Sequence, residues 1–214
     1  LNRDEHTLAH VLGDNGYSTC YIGKWHLDGP EKPGWVPKSR GMGFEENGLM
    51  FNRGHWKSVV DQGGEHPELK TDIGDDETYT TGWLAAQAVE YIKGHGDTPF
   101  FLMLSIPDPH TPFSVREPYA SMFDPDLMPV PASFREEGRP SWVAGSKTDI
   151  AGAGWSEKDV QRAMSAYCGM VKCIDDNVGK LLSAIDETGN GETTLVVFLT
   201  DHGEYLGEHG KKKK

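Results

Sequence analysis

Apolar residues along this chain alternate between helical spacing and short continuous runs. Helical spacing with clear end signals predicts three helices: residues 3–14, residues 78–94, and a long helix that begins after a capping pattern at Ser156–Asp159 and ends at Gly189. Short apolar or β-branched runs predict three strands, over residues 17–23, 99–106 and 193–199. This alternation is typical of an α/β protein, with a mixed, largely parallel sheet layered between helices.

Two long segments show no steady period. Residues 27–76 and 107–155 contain scattered glycine, proline and polar residues, so we expect irregular structure in both. The first segment holds four aromatic residues, which argue against disorder: Trp35, Phe44, Phe51 and Trp56. Because long loops inside compact domains are usually functional, we expect residues 27–76 to form the substrate region of a single domain over residues 1–214.

The third apolar run ends at a carboxylate and an imidazole. Asp201 and His202 follow residues 193–200, and Gly203 comes next. Open α/β sheets bind ligands beyond the carboxyl ends of their strands, and these two side chains can hold a divalent cation. The alternative is that Asp201 caps a turn and His202 lies on the surface, and two residues alone do not decide between them.

The other two apolar runs also end in polar loops. Lys24 and His26 follow the first run, and His110 follows the second run in a loop that three prolines stiffen. A single histidine after a strand is more often structural than catalytic. Three such loops favour one polar site built at the edge of a sheet.

Charge and composition limit the expected partners. The formal net charge of −12 over 214 residues argues against a nucleic-acid partner, because a polyanion would be repelled. No apolar stretch approaches the ~20 residues that span a bilayer, and residues 1–5 carry no signal-peptide pattern. The three cysteines lack zinc-site spacing, and we expect Cys20 to be a small buried residue of its strand.

Three motifs resemble, in order, signatures of the sulfatase family in the alkaline-phosphatase-like superfamily. Residues 16–27 resemble the second sulfatase signature, residues 109–113 its central histidine loop, and residues 200–210 its metal-binding segment. The resemblance extends through nearly the whole chain. It implies an alkaline-phosphatase-like fold that is incomplete here, because the chain resembles the middle of a sulfatase and covers less than half of one.

The resemblance implies a role for each matching residue. Lys24 would neutralise sulfate oxygens and the oxyanion of the nucleophile, and His26 would bond to that nucleophile. His110 would bind the sulfate or protonate the leaving oxygen. Asp201 and His202 would ligate Ca²⁺ or Mg²⁺, with His202 standing where many members carry asparagine. The chemistry agrees, because a cation and a lysine reduce the negative charge that protects a sulfate ester from attack.

Several parts of the family pattern do not occur in the chain. Neither Cys-x-Pro-Ser-Arg nor Ser-x-Pro-Ser-Arg is present, so the formylglycine nucleophile and the paired aspartates of the first family strand are expected upstream of Leu1. The C-terminal subdomain is missing as well. We therefore expect that these residues alone do not hydrolyse sulfate esters, and that their incomplete sheet favours self-association.

Four further residues are candidates for substrate contact. Asn52, Arg53 and His55 lie in an aromatic-rich loop, where stacking and bidentate hydrogen bonds suit a sugar or an aryl group. A surface loop packed by its own tryptophan is the alternative. Lys214 lies four residues after Gly210, where the family carries an active-site lysine, whereas a run of four lysines is more often a solvated tail.

The leading prediction is a metal-dependent hydrolase that acts on carbohydrate or aryl sulfate esters. One alternative is a phosphodiesterase or phosphonate monoester hydrolase of the same superfamily, and another is a noncatalytic binding or assembly fragment. The expected partner is a small-molecule or carbohydrate sulfate ester. The family also implies a periplasmic or secreted location.

Overall fold

The computed structural model describes residues 1–2, 4–27, 29, 33–96 and 98–214. Its helices are α1 (Leu8–Asp14), α2 (Thr80–His95) and α3 (Glu157–Glu187). Its strands are β1 (Ser18–Lys24), β2 (Gly34–Trp35), β3 (Glu46–Asn52), β4 (Ser58–Val60), β5 (Glu68–Lys70) and β6 (Phe100–Ser105). Short 3₁₀ helices span Lys38–Arg40, Pro125–Leu127, Ala132–Arg135 and Glu208–Gly210.

The four-stranded sheet has the order β2-β3-β1-β6. Strand β1 lies between β3 and β6 and is parallel to both, whereas β2 is antiparallel to β3. The sheet is therefore mixed and largely parallel, as the sequence predicts. Strands β4 and β5 form a separate antiparallel pair.

The contacts divide the chain into two compact units. The first unit comprises Leu1–Asp108 and Cys173–Thr194, and the second comprises Pro109–Lys172 and Leu195–Lys214. Helix α3 contributes its first half to the second unit and its second half to the first. The expectation of a single domain over residues 1–214 stays a prediction.

Helices of the first unit cover both faces of the sheet. Cys20 and Ile22 pack with Leu84 of α2, whereas Tyr21 packs in the cluster that contains Ala9 of α1. Since successive residues of a strand point to opposite faces, α1 and α2 lie on opposite sides of β1. Burial raises the pKa of the Cys20 thiol to about 12, which agrees with the small, unreactive residue expected there.

The second unit has its own apolar cluster and a capped helix. Phe134, Ile150 and Val160 form the centre of this cluster. At the start of α3, the Ser156 amide donates to Asp159 Oδ2 over 2.9 Å, and the Asp159 amide donates to Ser156 Oγ over 3.2 Å. These bonds confirm the capping pattern at Ser156–Asp159.

The prediction of a buried strand over residues 193–199 is wrong for the described structure. Leu195–Leu199 adopt no regular secondary structure, and their side chains are 53–87% exposed. A strand forms only where a neighbouring strand accepts its backbone hydrogen bonds, and no described strand pairs with this segment. The residues of this segment have high β propensity, but a strand also needs a neighbouring strand to pair with.

Two other elements differ from the sequence prediction. The segment 27–76, expected to be irregular, contains strands β2 to β5, and the sequence pattern misses β3 because Asn47 and Gly48 interrupt the apolar run. Helix α1 begins at Leu8 rather than at residue 3, and its buried residue is Ala9 while Leu8 is 61% exposed. Among the described residues, no helix is long and apolar enough to cross a membrane.

Candidate active site

Lys24 stands at the carboxyl end of the central strand. Its carbonyl oxygen accepts hydrogen bonds from Tyr21 Oη over 2.7 Å and from Ser105 Oγ over 2.9 Å. The next amide, of Trp25, donates to the Phe51 carbonyl over 2.7 Å. Side chains and backbone of three neighbouring segments therefore fix the point from which the Lys24 side chain leaves the sheet.

The loop after β3 brings His55 to Lys24. Lys24 Nζ lies 3.4 Å from His55 Nδ1, and an ammonium group can only donate, so Nδ1 accepts. Arg53 and Gly54 both have positive φ angles, of 64° and 82°, and this tight turn redirects the chain after the strand. The structure thus joins a predicted catalytic lysine to a predicted substrate-contact residue.

Asn52 and Arg53 differ sharply in accessibility. Asn52 is buried, and its Nδ2 donates to the Gly29 carbonyl over 3.3 Å, so it holds a neighbouring loop. Arg53 is exposed. The ring of Trp56 packs so closely on Gly54 that a Cβ there would lie 2.3 Å from Trp56 Nε1. The loop is therefore packed by its own tryptophan and also delivers His55.

A buried ionic cluster lies where the first unit ends. Asp108 accepts hydrogen bonds from Lys57 Nζ over 2.6 Å, from Tyr79 Oη over 2.5 Å and from Thr81 Oγ1 over 2.9 Å. Lys57 and Asp108 side chains are only 0% and 4% exposed. A buried charge is tolerated only when it is paired and fully hydrogen-bonded, and Asp108 meets both conditions. The sequence pattern gives no sign of this cluster, because its members are far apart in the chain.

His110 is held in one tautomer by its own loop. Its Nδ1 lies 2.8 Å from the Thr111 carbonyl oxygen, which can only accept, so Nδ1 carries the proton. In the neutral ring, Nε2 therefore presents a lone pair. This is the form that can take up a proton and deliver it to another oxygen.

His202 is oriented in the same manner and contacts Lys214. Its Nδ1 donates to the Gly203 carbonyl over 2.9 Å, and its Nε2 accepts from Lys214 Nζ over 2.6 Å. The rings of His110 and His202 lie 6.0 Å apart between centroids, at an interplanar angle of 74°. The second unit thus gathers two histidines and a lysine in one place.

Asp201 adds a carboxylate to this group. Asp201 Oδ2 lies 3.4 Å from His202 Nε2, so an anionic oxygen and an imidazole lone pair lie together beside the ammonium of Lys214. Both donor types suit a divalent cation. Ca²⁺ needs about six to eight ligands, and the described residues contain no group of three or more His, Cys, Asp or Glu side chains placed to hold a metal. The pair therefore fits a cation only as part of a larger ligand shell.

Glu204 lies two residues beyond His202, and the sequence analysis did not single it out. Its side chain is half-buried, and its carboxylate lies near the backbone amide of Lys214. Burial raises the pKa of this carboxyl group, although the Lys214 amide and the positive charges of Lys213 and Lys214 act in the opposite direction. Burial, with a smaller contribution from Glu204, also raises the pKa of the Tyr167 phenol.

The lysine run of residues 211–214 is packed in part: Lys211 and Lys212 contact aromatic rings, whereas Lys214 is exposed. Lys211 is buried, and its Nζ lies 4.3 Å from the ring centroid of Tyr205 and 5.4 Å from that of Trp142. Lys212 Nζ lies 5.1 Å from the ring of Trp155. Cation–π contacts of this kind fix a segment that its charge alone would leave in water.

The predicted site residues divide between the two units. The first unit carries Lys24, His26, Asn52, Arg53 and His55, and the second carries His110, Asp201, His202 and Lys214. His26 is exposed at the end of β1. The catalytic, substrate-binding and metal-binding roles of these residues stay predictions.

Comparison with known proteins decides the family. The sulfatase family model matches residues 1–214, the whole chain. The chain belongs to the sulfatase family. It is 29% identical to an ulvan-active sulfatase of Formosa agariphila over 97% of the chain, and this match covers 37% of that relative.

Solved structures show the same fold. The sulfatase-family protein yidJ from Bacteroides fragilis matches with a TM-score of 0.71 and 25% identity, over 100% of this chain and 47% of the other. A phosphonate monoester hydrolase from Silicibacter pomeroyi matches with a TM-score of 0.71 and 20% identity, over 99% of this chain and 50% of the other. The sulfatase-family sheet thus has the alkaline-phosphatase-like fold, and the chain spans half or less of the length of these proteins.

Proposed function

We propose that the protein carrying this chain hydrolyses sulfate esters. The observation that supports this most strongly is the group formed by His110, Asp201, His202 and Lys214 in the second unit of a sulfatase-family chain. It combines a proton carrier, two metal-type donors and a fixed positive charge within one small region. These are the functions that hydrolysis of an anionic ester requires.

The histidine and the lysines have distinct parts in this proposal. His110 takes a proton from solvent on Nε2 and gives it to the leaving oxygen as the S–O bond of the ester breaks, which restores the lone pair on Nε2. Lys24 and Lys214 place positive charge against the sulfate oxygens, which lowers the cost of negative charge that develops during attack. His55, in contact with Lys24, faces the leaving group in this proposal, and His26 orients the nucleophile.

A divalent cation completes the proposed site. Asp201 and His202 would hold it together with ligands from elsewhere in the protein, with Lys214 giving up its bond to His202 Nε2. Ca²⁺ or Mg²⁺ would supply Lewis-acid stabilisation of the sulfate oxygens. The family nucleophile, a formylglycine, is proposed to lie outside residues 1–214. We accordingly propose that this chain by itself is inactive, and that its uncovered apolar segment makes it self-associate.

The substrate class is proposed from the relatives. A relative from Bacteroides thetaiotaomicron is named N-acetylglucosamine-6-O-sulfatase, so we favour a carbohydrate sulfate over a simple aryl sulfate. A periplasmic or secreted location would suit such a substrate. Hydrolysis of phosphonate monoesters is the second candidate, because the Silicibacter enzyme shares the fold.

The test uses the full-length protein with calcium and an aryl sulfate. We expect Lys24→Ala to lower kcat/KM by roughly 10²–10³-fold, because it removes charge stabilisation, and His110→Ala to lower it by roughly 10²–10⁴-fold, because it removes the proton carrier. Lys38→Ala and His6→Ala are the matched controls, and both should retain wild-type kinetics. If Lys24→Ala and His110→Ala behave like these controls, the proposed site is wrong.

A further inference from the structure

Asp149 is a buried carboxylate that the proposed reaction does not use. Its Oδ2 accepts from the Gly145 amide over 2.7 Å, and its Oδ1 accepts from the Gly152 amide and from Arg139 Nη1, each over 2.7 Å. The side chain is 3% exposed. Three residues, which span thirteen positions of the chain, are thus tied to one carboxylate, and this makes the turn around Asp149 rigid.

That turn is paired with the segment around Lys211. The Ile150 amide donates to the Gly210 carbonyl over 2.9 Å, and the Lys212 amide donates to the Thr148 carbonyl over 2.9 Å. Asp149 and Lys211 form an antiparallel bridge between these bonds. The backbone of the Asp149 turn therefore sets the position of residues 210–212.

Close packing reinforces this pairing. Gly210 has a φ of +69°, and a Cβ at this position would lie 2.4 Å from Arg139 Nη1 and 2.9 Å from Ala151 Cβ. Only glycine fits so near the guanidinium that holds Asp149. On its other side the segment is closed by a hydrogen bond from the Gly207 amide to the Lys211 carbonyl over 2.8 Å.

Lys214 follows this fixed segment by two residues. Its Nζ meets His202 Nε2 at 2.6 Å, beside Asp201. A lysine has a long flexible side chain, so its ammonium is placed reliably only if the backbone that carries it is held. The nearest hydrogen-bonded backbone before Lys214 is the Gly210–Lys212 segment.

We propose that Asp149 is a positioning residue, which places Lys214 in the site by holding the turn against which residues 210–212 are paired. This inference rests on the proposed function, in which Lys214 contacts the sulfate group. The Asp149 side chain is only 3% exposed, and its three hydrogen bonds are made within residues 139–152, so it acts on the site through the backbone pairing with Lys211.

The test is a double-mutant cycle in the full-length protein, with an aryl sulfate as substrate. Asp149→Asn offers one acceptor oxygen in place of two, so part of the turn loses its anchor. We expect kcat/KM to fall by roughly tenfold or more, as Lys214 is misplaced. In a Lys214→Ala background the same change should have an effect within about twofold, because the lysine that it positions is already gone.

Several outcomes would overturn the inference. Equal losses from Asp149→Asn in both backgrounds would show that the turn supports the fold and not Lys214. Wild-type kinetics for a folded Asp149→Asn variant, or for Lys214→Ala, would also contradict it. Arg139→Gln removes one anchor only and serves in the same cycle if Asp149→Asn fails to fold. Asp126→Asn, at an exposed carboxylate of the same unit, is the control and should leave kcat/KM unchanged.

A second readout separates this inference from the proposed function. Calorimetric binding of inorganic sulfate is measured for the same variants, and Asp149→Asn is expected to weaken binding only while Lys214 is present. If the wild type binds sulfate but hydrolyses no sulfate ester, the proposed function fails. The sulfate affinities of the same variants then still test whether Asp149 positions Lys214. If the wild type neither binds nor hydrolyses, both proposals fail.

Discussion

Individual side chains in this chain show how local environment sets ionisation. The backbone amides of Gly145 and Gly152, followed by the Arg139 guanidinium, lower the pKa of Asp149 from 3.8 to about 2. These donors bind the charged carboxylate more strongly than the protonated one. The folded state therefore releases the Asp149 proton more readily than the unfolded chain does.

This difference predicts a specific acid sensitivity. Since the folded pKa lies below the unfolded value, the stabilisation is fully present above about pH 4 and is lost as the pH falls towards 2. We expect Asp149→Asn to lower the free energy of unfolding at pH 7 and to flatten its decline between pH 4 and pH 2. Urea unfolding at several pH values measures this.

The control for this prediction is Asp14→Asn, at an exposed carboxylate. Its unfolding free energy should follow the wild-type pH dependence. A variant Asp149→Asn whose acid decline is as steep as that of the wild type would show that Asp149 does not contribute this stability.

Residue-level reasoning from the sequence found the motif residues but not their supports. Lys24, His110 and His202 follow apolar runs and are visible as polar ends of those runs. Asp149 and Lys57 lie in segments without a period, and their partners are distant in sequence. Nothing local indicates such a network, because its energy comes from contacts that only the folded chain creates.

Secondary-structure elements owe their stability here to packing as much as to composition. Strand β3 forms despite Asn47 and Gly48, because β1 and β2 flank it and Met50 and Phe51 are completely buried. The apolar segment Leu195–Leu199 has the better strand composition and forms no strand, since no described strand pairs with it. Whether these two segments form strands therefore depends less on their β propensity than on the presence of a neighbouring strand.

The β4–β5 pair offers a clear test of burial at this scale. Lys57, directly before β4, forms the buried bond to Asp108, whereas Lys70 at the end of β5 forms an exposed pair with Glu68. We expect Lys57→Met to lower the free energy of unfolding by about 3–5 kcal/mol, because it leaves Asp108 buried without its counter-charge. Urea unfolding with an unchanged m-value measures the loss.

Lys70→Met is the matched control for this substitution. An exposed ion pair contributes about 0–1 kcal/mol, so this variant should unfold near the wild-type midpoint. The double variant Lys57→Met, Asp108→Asn should recover part of the loss, since it no longer buries an unpaired charge. Equal effects of Lys57→Met and Lys70→Met would contradict the account of the buried cluster.

At the scale of the whole molecule, the chain belongs to the sulfatase family and contains a mixed, largely parallel sheet, with Lys24 at the carboxyl end of the central strand. The sequence predicted the fold class because alternating helices and strands leave a strong periodic signal. It predicted the family because three spaced motifs occur in order. It did not predict the division into two compact units, which depends on contacts between distant segments.

The most direct test of the proposed function compares two esters with the same leaving group. The full-length protein is assayed with 4-nitrophenyl sulfate and with the 4-nitrophenyl monoester of phenylphosphonate, at equal calcium concentration. We predict that kcat/KM for the sulfate exceeds that for the phosphonate by at least about tenfold, which corresponds to about 1.4 kcal/mol of transition-state stabilisation. An equal or greater kcat/KM for the phosphonate would contradict the account and assign the protein to phosphonate monoester hydrolysis.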